Sequence, residues 1–472
     1  MSARSRDKTY IFEQAPIPKA VLALAIPTVI TQVINIIYNY ADTWYVGRTG
    51  NAAAVAAMSV CMPLFIITGA IANLFGAGGA SLISRLLGQK NPEKARHVFA
   101  FSFWFGLVSS VVYALFIFIA RPWLIYAVGG DENSYQFAYD YLFWVVIIGA
   151  LPSVGNNLCG HLVRSTGASR EAGFGMSMGG VLNIILDPLF MFVLLPKGNE
   201  VIGAAIATML SNTASFLFFL IYLYRHRKDP HSVYTLNPRD VSLKGKIPSE
   251  VLAIGFPAAL QTTLAMVSNI FANVYVSGYG TEAVSGLGVA KKVNLLAFNT
   301  MMGITMGVTP LVGYNYGAKN YKRMKKSILF AGALSEMIGL SCLVLFQIFA
   351  ELLIRFFIDE PESIRFGSAF LRVVCFAVPL CSVTFLFNAV FQATGQRIKS
   401  LVLSCLRKGV LDIPLMGILS LSFGLGATGV VLATPIAELL STGIAVTMFV
   451  LFMRKLEREK TVEENGLTRV SP

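Results

Sequence analysis

Six polar residues lodged in apolar sequence are the ones with chemistry to offer. In TQVINIIYNYAD, Gln32, Asn35, Asn39 and Asp42 follow at spacings of 3, 4 and 3, which puts them on one face of a helix. In NIILDP, Asn183 and Asp187 stand at i and i+4 and share a face in the same way. A polar stripe in a membrane helix faces protein or water, and ionisable groups there are costly enough to mark function unless they are paired for structure. Two carboxylates held together in low-dielectric surroundings cannot both ionise cheaply. Asp42 and Asp187, brought together, would form a pair able to take up and release a proton, or to hold Na⁺.

The elements that carry these residues follow from composition. Of 472 residues, 55% are hydrophobic and 13% charged, against about 25% charged in soluble domains. The mean hydropathy is +0.65. This is the composition of a multi-pass, all-α membrane protein, and it excludes a soluble enzyme, a disordered chain and a disulfide-stapled secreted module. The formal charge of +13 sits in short patches beside apolar spans, with no basic, aromatic-interleaved domain for nucleic acid. All six Cys fall in or beside apolar segments without a CxxC pair and read as packing residues. His97, His161, His226 and His231 have no metal-ligand spacing, and no nucleophile motif stands near a base. GAGGA at 76–80 lies within an apolar span, where close helix packing is the better reading than a phosphate loop. The first apolar run is too long for a signal-peptide core, so no cleaved leader is expected.

At roughly 20 apolar residues per crossing, twelve transmembrane helices are predicted near 19–46, 53–78, 97–120, 137–162, 173–195, 201–224, 249–277, 283–312, 327–350, 368–393, 400–423 and 427–453. The two tails and the alternate connections hold 28 of the 38 Lys and Arg residues, and the connections of the other side hold 5. By the positive-inside rule both termini are cytoplasmic. Asp42 precedes the outer Arg48, Asp187 precedes the outer Lys197, and Thr208 follows the outer Gly198–Asn199 turn, each by six to ten residues. At about 1.5 Å per residue, all three sit in the outer half of the same bundle.

RHRKDPHSVYTLNPRDVSLKGK (225–246) is the long polar connection of mid-chain and divides the spans six and six. On either side the sequence repeats. IPKAVLALAIP (17–27) matches IPSEVLAIGFP (247–257), LGQKNPEKA (87–95) matches YGAKNYKRM (316–324), STGASR (165–170) matches ATGQR (393–397), and IGAAIAT (202–208) matches TGVVLAT (428–434). The expected organisation is a tail (1–18), an N-lobe (19–224), a linker (225–247), a C-lobe (248–453) and a second tail (454–472). The repeats are parallel, so two pseudo-symmetric six-helix bundles around a central cavity are expected. Position 42 corresponds to Ala272, Asn39 to Asn269 and Asp187 to Asp412, which confines the acid pair to the N-lobe. Asp412, Glu336, Glu438, Lys292, Arg407 and Lys408 are the C-lobe charges, read either as ion pairs or as binding groups for cationic substrates. Pro27 and Pro257 stand at equivalent places in spans 1 and 7, as hinges or structural kinks.

YNYADTWYVGRTG (38–50), RSTGAS (164–169), NIILDP (183–188), GVTPLVGYNYGAKNYKR (307–323) and FQATGQ (391–396) resemble the multidrug and toxic compound extrusion family, MATE, over nearly the whole chain. The resemblance implies two six-helix bundles in a bacterial or archaeal cytoplasmic (inner) membrane and no ATP site. It also implies export of amphipathic, often cationic drugs in exchange for H⁺ or Na⁺. The first-span YN-x-x-D and the fifth-span N-x-x-x-D are similar to the DinF-like branch, which implies cation coupling at Asp42, Asn183, Asp187 and Thr208. The same branch implies substrate contacts at Gln32, Asn35, Tyr38 and Asn157, with Asn39 of the same stripe and Asp412 as further candidates. The seventh-span acid of the other bacterial branch falls near Ala265 here, so a Na⁺ site in the C-lobe is not expected.

The expected partners are small-molecule drugs and the lipid bilayer, with no cofactor beyond the coupling H⁺ or Na⁺, and the expected form is a monomer. The main rival is a flippase for a lipid or lipid-linked precursor on a related scaffold, which predicts a strongly basic central cavity. A major-facilitator carrier lacks support because GQKNPEKAR stands where its Gly-Asp-Arg signature would be. No selectivity filter for a channel is evident.

Overall fold

The computed structural model describes residues 10–48, 52–196, 198–229 and 232–468; the Lys197 marker, His231 and the ends of both tails lie outside them. Among the described residues the membrane-spanning parts are all helical, and the linker at 232–246 is mostly irregular. Six helices form the first half: α1 (Ile17–Gly47), α2 (Ala52–Gly88), α3 (Pro92–Ala127), α4 (Glu132–Leu142, Phe143–Ile148 and Ala150–Ser165), α5 (Ser169–Pro188 and Leu189–Leu194) and α6 (Glu200–His226). Six more form the second: α7 (Ile247–Ser277), α8 (Thr281–Gly317), α9 (Tyr321–Arg355), α10 (Pro361–Val374 and Ala377–Ala393), α11 (Arg397–Cys405, Leu406–Asp412, Ile413–Gly417 and Ile418–Ser422) and α12 (Gly426–Thr468). Among the described residues nine helices are long and apolar enough to cross a bilayer, and α4 and α10 each do so as a bent pair. Fragmentation hides the twelfth, α11, whose π-helical pieces interrupt its run. Its outer surface, like that of the others, is apolar: on α3, Val108, Val112, Phe116, Ile119 and Trp123 are all exposed. Such a belt is stable in lipid and not in water.

The bends have a chemical cause. α4 turns by 46° and α10 by 45°. Pro152 and Pro379 stand just beyond the two breaks, and neither has an N–H for the carbonyl four residues back, at Ile148 and Cys375. The repeat is also visible in the turns. After α2, Lys90 adopts φ 57° and the Asn91 side chain accepts from the Lys94 N–H at 3.1 Å; after α8, Lys319 adopts φ 57° and Asn320 accepts from the Arg323 N–H at 3.1 Å.

Packing repeats as well. α1 lies on α5 as α7 lies on α11, and α2 lies on α3 and α4 as α8 lies on α9 and α10. The lobes meet through α1 against α8 and α2 against α7. On the basic face, where α2 and α8 end, these contacts are reciprocal. A Cβ on Gly88 would strike the Tyr314 carbonyl, and one on Gly317 would strike the Arg85 carbonyl. Further in, Gly78 lies against the Val251 carbonyl of α7, while Gly307 lies against Ala25 of α1. Small residues bring the backbones of the two lobes together in this way.

Two segments fasten that face. Before α1, the Arg323 side chain of α9 donates to the carbonyls of Phe12 (2.7 Å), Ile11 (3.0 Å) and Ala15 (2.7 Å), and Phe12 stacks on Tyr314 at 4.8 Å. In the linker, Tyr234 and Thr235 are buried against the N-lobe, and Asp240 accepts from Thr235 and from Arg96 of α3, the latter at 2.9 Å. Partial burial alone would raise the Asp240 carboxyl, but the bonds from Thr235 and Arg96 and the nearby Arg96 and His97 hold it below the usual carboxylate range.

Two outcomes follow. Gly317→Val is expected to cost roughly 1–3 kcal/mol by overpacking, read as a lower unfolding midpoint, while Gly443→Val, whose Cβ meets nothing within 4 Å, leaves it unchanged. A carboxylate with a depressed pKa stabilises above its unfolded value and loses that contribution as pH falls through the folded one. Hydrogen exchange in the linker is therefore expected to be slower in wild type than in Asp240→Asn at neutral pH. The difference should vanish once pH drops below the carboxylate range.

Candidate functional site

The polar stripe of α1 is knitted along its own helix. Asn39 donates to the Asn35 carbonyl at 2.6 Å, Asn35 donates to the Gln32 side chain at 3.4 Å, and Gln32 reaches across the lobe boundary to the Met306 sulfur of α8 at 3.2 Å. Opposite it, α5 presents Asn183 and Asp187, 3% and 0% exposed. Their i, i+4 spacing lets the Asn183 amide donate to Asp187 Oδ1 at 3.0 Å, and the same nitrogen lies 3.3 Å from the Thr208 hydroxyl of α6. Asp42 lies near enough to Asp187 for their charges to interact. Asp42, Asn183, Asp187 and Thr208 thus come from three helices to one place.

The cluster lacks donors. Asp42 Oδ1, Asn183 Oδ1 and Asp187 Oδ2 are buried with no hydrogen-bond partner. All three are oxygens, and a carboxylate or amide oxygen can only accept. A proton on one carboxyl, a bound cation with oxygen ligands, or water from the adjoining cavity would each satisfy such a set. Among the described residues no group of three His, Cys, Asp or Glu is placed to hold a metal ion; the donor set here is two carboxylates, an amide and a hydroxyl.

A cavity of about 60 Å³ opens beside the cluster, lined by Asn35, Tyr38, Asn157, Asn183 and Thr208 among others. It has room for a few waters, well short of the roughly 300–1,000 Å³ of a drug site. Gln32, Asn39, Asp42 and Asp187 lie off its lining. Three neighbours were missed by the sequence reading. Asn156 donates to Asn212 at 3.2 Å and Asn212 to the Thr208 carbonyl at 3.0 Å, extending the polar chain into α4 and α6. Tyr141 of α4 lies within electrostatic reach of Asp42, Asp187 and Tyr38. The i, i+4 pattern of Thr208 and Asn212 was the available clue.

The C-lobe counterpart is arranged differently. Asp412 is fully buried and saturated: Lys408 pairs with Oδ2 at 2.8 Å, Ser268 donates to the same oxygen at 2.7 Å, and Thr434 donates to Oδ1 at 3.1 Å. It therefore stands in an ion pair, off the lining of the cavity, with a donor on each of its oxygens. Arg407 pairs with Glu438 at 3.2 Å, and Glu336 accepts from Ser382. Ala272 is buried where the N-lobe has Asp42, and Asn269 bonds its own helix at the Ala265 carbonyl as Asn39 does at Asn35. The acid pair is thus an N-lobe feature.

Comparison with known proteins bears on the family and the fold. The multidrug export protein MepA of Staphylococcus saprophyticus is 29% identical over 454 residues, covering 96% of this chain and 98% of its own. MepA of Staphylococcus haemolyticus is 27% identical over 471 residues, 98% of this chain and 99% of its own. Among solved structures, a MATE protein in complex with MaL6 superposes with a TM-score of 0.89 at 25% identity, covering 97% of this chain and 100% of its own. The outward-facing conformation of a multidrug resistance MATE family transporter of the MOP superfamily gives 0.86 at 26% identity, covering 94% and 98%. A family model described as MatE matches residues 27–189 and 257–418, one stretch in each half of the repeat. With twelve helices in two repeated bundles and that match across both, the chain belongs to the MATE family of membrane transporters.

Proposed function

We propose that the chain is a secondary active antiporter that exports amphipathic, cationic compounds in exchange for protons, with Na⁺ as the other ion its donor set suits. The observation that carries this reading is the trio of buried, unpartnered acceptor oxygens on Asp42, Asn183 and Asp187. The names of its relatives, which are multidrug export proteins, support the class of cargo. Asn35, Tyr38 and Asn157, on the cavity beside the cluster, are the groups through which substrate binding and ion binding meet, with Gln32 and Asn39 flanking them at the lobe boundary. The basic face is cytoplasmic in this reading, the acid pair lies toward the outside, and the protein works as a monomer in a bacterial or archaeal cytoplasmic membrane.

Coupling requires that ion and drug favour different states or compete for one; binding both equally well would couple nothing. Protonation of the cluster supplies the missing donors and favours the state that releases substrate outward. A proton moving inward down ~100 mV yields about 2.3 kcal/mol, and one pH unit about 1.4 kcal/mol. For a monovalent cation exchanged one for one the voltage term cancels, and about tenfold accumulation per pH unit remains.

In proteoliposomes with an imposed ΔpH, Asp42→Asn and Asp187→Asn are each expected to slow ethidium efflux by roughly tenfold or more, the loss of a coupling energy of about 1–3 kcal/mol. Efflux that survives both changes would place coupling elsewhere. Asp412→Asn is expected to act on stability instead. It strands the Lys408 ammonium, at a cost of about 3–5 kcal/mol, read as a lower unfolding midpoint, and the protein that remains folded keeps its dependence on ΔpH.

A further inference from the structure

The C-lobe network that saturates Asp412 leaves a cation over. Lys291 of α8 has its ammonium nitrogen buried with no hydrogen-bond partner, close enough to Lys408 and Asp412 for both charges to act on it. Asp412 is engaged by Lys408, Ser268 and Thr434, and Glu438 meets Arg407 through Oε1 while its Oε2 is buried without a partner; Arg407 also lies over the Phe385 ring at 4.5 Å. Three cations thus share two carboxylates. An ammonium held in low-dielectric surroundings without an anion is costly, and the like charge of Lys408 adds to the cost.

The position of Lys291 says where an anion would come from. The carbonyl of the next residue, Lys292, accepts the Tyr40 hydroxyl from α1, so this turn of α8 stands at the boundary between the lobes. Lys291 is ten residues along α8 from Thr281, and Asp42 is five residues from the end of α1 at Gly47. At about 1.5 Å per residue the two differ in depth by little more than one helical turn. The N-lobe therefore offers oxygens short of positive charge, and the C-lobe offers an ammonium short of negative charge, at similar depths on two sides of one boundary.

We propose that Lys291 is a docking point for the anionic group, a carboxylate, of zwitterionic amphipathic substrates whose cationic end lies on the N-lobe side. This deepens the export reading above and rests on it. Lys291 would set specificity for one class of cargo, and monocationic cargo would not need it.

A matched pair of dyes tests this. Rhodamine 110 carries a carboxylate, and rhodamine 123 is its methyl ester, a monocation. In proteoliposomes driven by ΔpH, wild type is expected to export both. Lys291→Met is expected to raise the KM for rhodamine 110 by roughly tenfold or more, the scale of a lost charge-assisted bond, and to leave rhodamine 123 unchanged; Lys291→Arg is expected to restore the carboxylate dye. Equal effects on both dyes, no effect on either, or export of the ester alone by wild type would each overturn the assignment. Export of neither dye by wild type would instead sink the multidrug reading, and this inference with it. If ester export in wild type falls when isethionate replaces chloride, and Lys291→Met abolishes that dependence, the anion is inorganic and the substrate assignment fails.

Discussion

A membrane interior offers no water to a polar atom that the protein leaves unmatched, and most of this structure can be understood from where it accepts that cost. In the C-lobe it accepts it at the Lys291 ammonium and one Glu438 oxygen, but not at Asp412, which receives an ammonium and two hydroxyls. In the N-lobe it accepts it at the acids themselves. Asp42, Asn183 and Asp187 keep three buried oxygens without a donor, and a proton, a cation or water from the adjoining cavity would each complete such a cluster. The same repeat position has thus been closed in one lobe as an ion pair and left in the other short of donors.

The rest of the fold keeps that site where it can matter. α1 is shared between two tasks: its N-terminal half packs against α8 through Gly303 and Gly307, while its C-terminal half carries Asn35, Tyr38 and Asp42 toward α5. A change at the acids is therefore a change on the helix that also forms the boundary between lobes. Backbone-to-backbone contacts such as Gly88 with Tyr314 and Gly317 with Arg85 are all-or-none, because helices either touch at that distance or separate. Interfaces of this type are suited to two discrete arrangements rather than gradual flexing.

Much of this was legible in the sequence, because a membrane makes polar residues conspicuous. The stripe from Gln32 to Asp42, the NIILD pair and the four repeated segments need only spacing to be read, and the equal turns at Lys90 and Lys319 and the equal bends beyond Ile148 and Cys375 repeat them in three dimensions. What was not legible is what depends on which helices become neighbours. Tyr141 is one tyrosine among 17 until α4 is laid beside α1. Asn156 and Asn212 bond each other across 56 residues. Asp412 looked equally suited to substrate or to a partner, and its pairing with Lys408 and with hydroxyls from α7 and α12 shows only once those helices are neighbours.

The central claim is that drug binding and proton binding meet at the Asp42/Asp187 cluster. The direct measurement is proton release on mixing drug with purified protein in weakly buffered detergent solution, followed by a pH indicator dye, with no gradient or vesicle involved. Saturating ethidium is expected to release protons from wild type, and to release none from Asp42→Asn at drug concentrations that still saturate binding. Release of the same size from both proteins, or saturable drug binding to wild type with no proton released, would contradict the account.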